Sequence, residues 1–142
     1  MTSLPPADGR TTPSGRSSRG TWSPPPFLLE TAAGDDGLIA DLVDAFNTDT
    51  SVRIQGMRAA LAASDFPKIR AAAHTINGGA RQLGAAAVVE ACQELEIASD
   101  LQEALLITAR LNRVQEVFEE VCAAMAAYLD AQRNTLCRMP LL

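Results

Sequence analysis

The chain has 142 residues with a formal net charge of −5, 47% hydrophobic and only 4% aromatic residues, which leaves room for one domain and favours closely packed helices over a β-rich core. No apolar run approaches the roughly 20 residues that span a membrane, and the N-terminus lacks the apolar core of a signal peptide, so cytoplasmic placement is the expectation. The three cysteines, Cys92, Cys122 and Cys137, are odd in number and far apart, which supports neither a disulfide framework nor a zinc site.

Residues 1–26 are rich in Pro, Ser, Thr, Gly and Arg and read as a disordered tail, because they bury too little apolar surface to offset the entropy of ordering. Arg10, Arg16 and Arg19 against Asp8 give this tail +2 and leave −7 for the rest. An acidic body argues against nucleic acid as the main partner. The ordered part is expected over 27–136, with a frayed tail over 137–142 and fraying from Arg133 on.

Phe27-Leu28-Leu29 opens a short helix to Ala33. Gly34, Asp35 and Asp36 break it and cap the next, since acidic residues suit a helix N-terminus. That helix is predicted from about Asp36 to Ala63, with Ile39, Leu42, Val43, Phe46, Ile54, Met57 and Leu61 inward. The segment Asn47-Thr-Asp-Thr-Ser51 forms helix poorly, yet Phe46 and Ile54 keep helical phase across it, so one long helix is predicted. Ser64-Asp65-Phe66-Pro67 combines a capping residue with proline in a first turn. The helix it starts stops at Gly84, a C′ residue. Ala85 to about Ala98 follows, with Val88, Cys92 and Leu95 inward. Ser99, Asp100 and Glu103 offer a capping box for a last helix. There Ala104, Ile107, Leu111, Val114, Phe118, Val121, Met125 and Tyr128 recur three and four apart. Short connections make neighbours antiparallel, so the expected fold is all-α: an up-and-down antiparallel four-helix bundle preceded by a short helix.

The lone histidine, His74, lies in the second long helix. Ile69, Ala73, Ile76, Ala80 and Leu83 form its apolar stripe, and at about 100° per residue His74 points roughly 140° away from the stripe centre. The imidazole therefore faces outward. Gly78 and Gly79 follow inside the same helix, each costing about 1 kcal/mol relative to alanine. That cost suggests a close approach to this face.

The order His74-x-Ile76-x-Gly78, then Leu83-Gly84, then Cys92-x-x-Leu95-Glu96, resembles the histidine-containing phosphotransfer (HPt) domain family. The family pattern runs His, a hydrophobic residue at +2, Lys at +3, Gly at +4, Leu-Gly at +9 and +10, and a hydrophobic residue followed by Glu or Gln ending at +22. This chain departs from it at +3, where Asn77 stands for Lys. The resemblance implies that His74 is a phosphoacceptor attacking through Nε2, and that Glu96 on the adjacent helix accepts from Nδ1 and fixes the ring. The alternative for Glu96 is an ordinary solvated helix residue.

Arg70, Asn77 and Arg81 lie within about 60° of the ring direction on the helical wheel. The two guanidinium groups are candidates to meet phosphoryl oxygens; the competing reading is pairing with Glu or Asp residues. Gly78 and Ala71 keep the surface beside the ring low for a docking protein, against the alternative that the glycines serve close helix packing. No cofactor and no metal site is expected. The expected partners are receiver domains of response regulators or of hybrid sensor histidine kinases, with no nucleic acid and no membrane. The chain has no nucleotide-binding glycine loop and not the length of a kinase domain, so the resemblance implies a stoichiometric carrier rather than an enzyme. The second reading is an HPt-like module that docks a receiver or other partner without carrying phosphate.

Overall fold

The computed structural model describes residues 21–33 and 35–138; the predicted disordered tail lies outside them up to residue 20, as do residues 139–142. Among the described residues there are five helices and no strand: α1 Pro26–Ala32, α2 Asp36–Ala62, α3 Phe66–Gln82, α4 Ala86–Leu101 and α5 Ala104–Arg138. The chain divides into two compact units. One spans Pro24–Glu119 and holds α1 to α4 with the first part of α5. The other joins, among the described residues, 21–23 to 120–138, and within it Trp22 packs edge-on against Tyr128 with ring centroids 5.4 Å apart.

The caps follow from side-chain chemistry. Asp35 accepts from the amide of Leu38 to start α2, and Asp65 accepts from the amide of Lys68 to start α3. α2 runs unbroken through the polar segment because Thr50 turns inward, 1% exposed, while Arg53 pairs with Asp49 one turn away at 2.8 Å. α3 ends as expected at Gly84, φ +69°. The amides of Gly84 and Ala85 return to the carbonyls of Arg81 and Ala80, a Schellman closure. Ser64 ends α2 in the same way at φ +57°, bonding Leu61, while Asp65 bonds Ala60.

In the Pro24–Glu119 unit the bundle closes on itself. The α3 stripe is buried throughout, from Ile69 to Leu83. Phe46 of α2 meets Phe118 of α5 edge-on at 6.0 Å, and Arg58 of α2 donates to Gln115 of α5 at 2.6 Å. Arg110 of α5 reaches Glu94 of α4 at 3.7 Å. Along α3 and α4 the register is antiparallel: Arg70 faces Asp100 and His74 faces Glu96, so one number falls by four as the other rises by four.

Four expectations are corrected. The ordered chain starts before Phe27: Pro24 is buried, Pro26 opens α1, and Pro25 lies so close to Gly84 that a Cβ there would stand 3.0 Å from its Cγ. Leu42 is 37% exposed, because it sits at the edge of the α2 stripe. The capping box at Ser99 does not form. α4 continues to Leu101, and Ser99 is buried within it, its hydroxyl donating to the Leu95 carbonyl. Gln102, at φ +57°, ends that helix instead. The last helix runs past Arg133 to Arg138.

Candidate functional site

His74 sits near the middle of α3, five residues after Ile69 on the fully buried stripe, and its side chain is 75% exposed. The phase of one amphipathic helix thus sets its direction. Across the α3–α4 groove, Oε1 of Glu96 lies 3.4 Å from Nδ1 of His74. Glu96 is only 15% exposed, so its carboxylate is held at the bundle edge rather than free in solvent. One turn back along α4 stands Cys92, fully buried. Burial first, and then the Glu96 charge, push the Cys92 thiol up from 9.0 to about 12. Cys92 is therefore a neutral packing residue under the site.

The α4 flank of His74 carries the charged and polar groups. Arg70 bonds Asp100 at 2.9 Å, with both side chains about half exposed. Pairing with an acid, the competing reading for Arg70, is what the geometry provides. Asp100 was hidden from sequence reasoning by the apparent capping box. The signal that would find it is its spacing: four residues after Glu96, it must face the residue four before His74 in an antiparallel hairpin.

Asn77 is 6% exposed, more buried than its wheel position suggested, because it lies on the flank between the apolar stripe and the surface. Its Oδ1 accepts from Nε of Arg81 at 2.7 Å. Arg81 in turn lines a shallow groove of about 450 Å³ with Glu90 and Gln93 of α4. Among the described residues no carboxylate pairs with Arg81.

The other flank is bare. Ala71 is exposed, and a Cβ built on Gly78 meets nothing within 4 Å. Gly79 differs: a Cβ there would stand 3.3 Å from Cδ1 of Phe46 on α2. The two adjacent glycines therefore have different physical reasons. Gly79 admits the Phe46 ring, while packing among the described residues gives no reason for Gly78. Among the described residues no group of three or more His, Cys, Asp or Glu gathers to hold a metal ion, and no helix is long and apolar enough to cross a membrane.

The fold has a counterpart among solved structures. Comparison with curated protein sequences finds no match. The chain is similar in structure to histidine-containing phosphotransfer protein B (HptB) from Pseudomonas aeruginosa PAO1, with a TM-score of 0.61 and 25% identity over 72% of this chain and 92% of that one. The Hpt domain family profile matches residues 41–135, a span that takes in the whole α3–α4 hairpin with His74 and Glu96. A match over most of the chain, on the same helical architecture, establishes that this protein belongs to the Hpt domain family.

Proposed function

We propose that this protein is the phosphocarrier of a multistep two-component phosphorelay, in which His74 accepts a phosphoryl group from the aspartate of one receiver domain and passes it to the aspartate of another. Its family is one of histidine phosphotransfer domains, phosphocarriers rather than kinases. The observation that carries the reading is the His74–Glu96 pair: an exposed imidazole with Nδ1 turned to a mostly buried carboxylate.

In this reading Nδ1 keeps its proton and donates toward Glu96, which leaves the lone pair on Nε2. That lone pair forms the N–P bond as the P–O bond to the receiver's aspartate breaks, its electron pair leaving with the carboxylate oxygen. No proton is lost, so the ring becomes a phosphorylated imidazolium. Glu96 stabilises the charge that develops, as an orienting carboxylate does for the histidine of a hydrolase triad. The reverse sequence, with a second receiver, discharges the ring. Ala71 and Gly78 form the low surface that lets a receiver approach the ring. Asn77, Arg81 and Arg70 form the polar flank toward which the phosphoryl oxygens turn.

The partners in this account are receiver domains of response regulators or of hybrid sensor histidine kinases, in the cytoplasm, and neither nucleic acid nor membrane is engaged. Any Mg²⁺ belongs to the receiver. The chain turns over no substrate of its own, so it is a stoichiometric carrier. A panel of phosphorylated receivers tests the proposal when binding and transfer are measured side by side. An acid-labile, base-stable label on the protein supports the carrier. Binding by a receiver whose label never moves supports the docking module without chemistry.

A further inference from the structure

We infer that Asn77 is a positioning residue for Arg81, and that the two act as one unit to hold a guanidinium charge beside the phosphoryl group on His74. The inference rests on the phosphoacceptor reading of His74 and names how the charge is delivered.

Asn77 is 6% exposed, and its amide oxygen is satisfied by Nε of Arg81 at 2.7 Å. A bond of this length to a charged donor is stronger than a neutral one and fixes the direction of the side chain. It employs one of the five N–H donors of the guanidinium and leaves the terminal amino groups for an oxyanion.

The direction matters because of helix geometry. At 1.5 Å per residue, the backbone of Arg81 lies about 10.5 Å along the axis from that of His74, too far for casual contact. Bonding back to Asn77 turns the guanidinium one turn toward His74, to the side chain of a residue whose backbone lies about 4.5 Å from that of His74 along the axis. The pair thus sets a cation at the level of residue 77 although residue 77 is neutral.

Charge points the same way. Arg70, the other arginine on this strip, is matched by Asp100 at 2.9 Å. Arg81 is anchored by a neutral oxygen, so the anchor holds it without cancelling its charge. During transfer Nε2 gains the phosphorus as the aspartyl P–O bond breaks, and negative charge stays spread over three phosphoryl oxygens. A guanidinium already bonded in place meets those oxygens without a further ordering cost.

The test uses the full chain and a phosphorylated receiver that labels it. Asn77→Ala, Asn77→Asp, Arg81→Ala, the double alanine variant and Asn77→Lys/Arg81→Ala are compared for single-turnover rate at saturating receiver and for phosphohistidine half-life after the receiver is removed. Circular dichroism verifies folding, because Arg81→Ala removes an exposed charge but also leaves the buried Asn77 oxygen without its donor; Asn77→Lys/Arg81→Ala restores a charge with no such oxygen left. Expected is a loss of about tenfold or more in rate for each single alanine variant, with the double no slower than the slower single. Asn77→Asp is expected to be as slow, because it keeps the acceptor but cancels the charge, and Asn77→Lys/Arg81→Ala is expected to recover. Wild-type rate in Arg81→Ala, additive losses in the double, or wild-type rate in Asn77→Asp overturns the inference while leaving the phosphoacceptor intact. A wild type that takes no label from any receiver overturns both.

Discussion

Glu96 holds its carboxylate oxygen 3.4 Å from Nδ1 of His74 while exposing only 15% of its side chain, against 75% for the histidine. In the proposed relay this largely covered carboxylate orients the exposed ring. Replacing Glu96 separates geometry from charge. Glu96→Gln keeps an oxygen on the Nδ1 side of the ring, and is expected to retain most of the phosphorylation rate. Glu96→Ala removes the acceptor and is expected to slow it at least about tenfold, equal to about 1.4 kcal/mol of barrier. Initial rates of label transfer from a receiver measure both, and equal rates in wild type and Glu96→Ala would remove Glu96 from the chemistry.

Gly78 and Gly79 divide stability from function. Among the described residues a methyl on Gly78 meets nothing within 4 Å, so Gly78→Ala is expected to raise unfolding free energy by about 0.5–1 kcal/mol. Gly78→Gln folds for the same reason, but stands beside the ring and is expected to block transfer to and from receivers. Gly79→Ala pushes against Phe46 and gains less or loses. Urea midpoints and transfer rates on the same proteins decide it. Unimpaired transfer by a folded Gly78→Gln would refute the open surface as the reason for this glycine.

The thiol of Cys92 supplies a pH signature. Its pKa in the folded protein is about 12 against 9.0 for an ordinary thiol, raised by burial and then by Glu96. Below pH 9 the thiol is protonated in folded and unfolded chains alike, and its contribution is fully present. Above pH 9 the unfolded chain loses the proton that the folded chain keeps, so stability falls as pH rises toward 12. The expected slope from this group is about 1.4 kcal/mol per pH unit. Urea unfolding of wild type and Cys92→Ala between about pH 9 and pH 11 measures it: the difference between them should shrink with pH, and a constant difference would contradict the burial account.

The α3–α4 hairpin was the most legible part of the chain, because one amphipathic stripe sets both the packing of α3 and the outward direction of His74. Gly84 announced its turn, since glycine is the residue that accepts positive φ without cost. The other turns gave no such signal. Ser64 and Gln102 also take φ +57°, and neither residue type marks that backbone. Ser99 and Asp100 look like a cap because Glu103 follows four and three residues on, whereas the Ser99 hydroxyl bonds back within α4. Asn77 lies deeper than its wheel position suggests, and Arg70 takes the acid-paired alternative, with a partner that the wheel does not name. A helical wheel gives directions on one helix and says nothing of Asp100 across the groove, or of how deep a flank position lies once a neighbour packs on it.

The most direct test of the central claim is transfer from a phosphorylated receiver to wild type and to His74→Ala in parallel, with both proteins shown to fold and to bind that receiver. The account predicts an acid-labile, base-stable phosphoryl group on the wild type, mapped to the peptide that contains His74, and none on the variant. Equal labelling of the two proteins, or a label on any other residue, would contradict it.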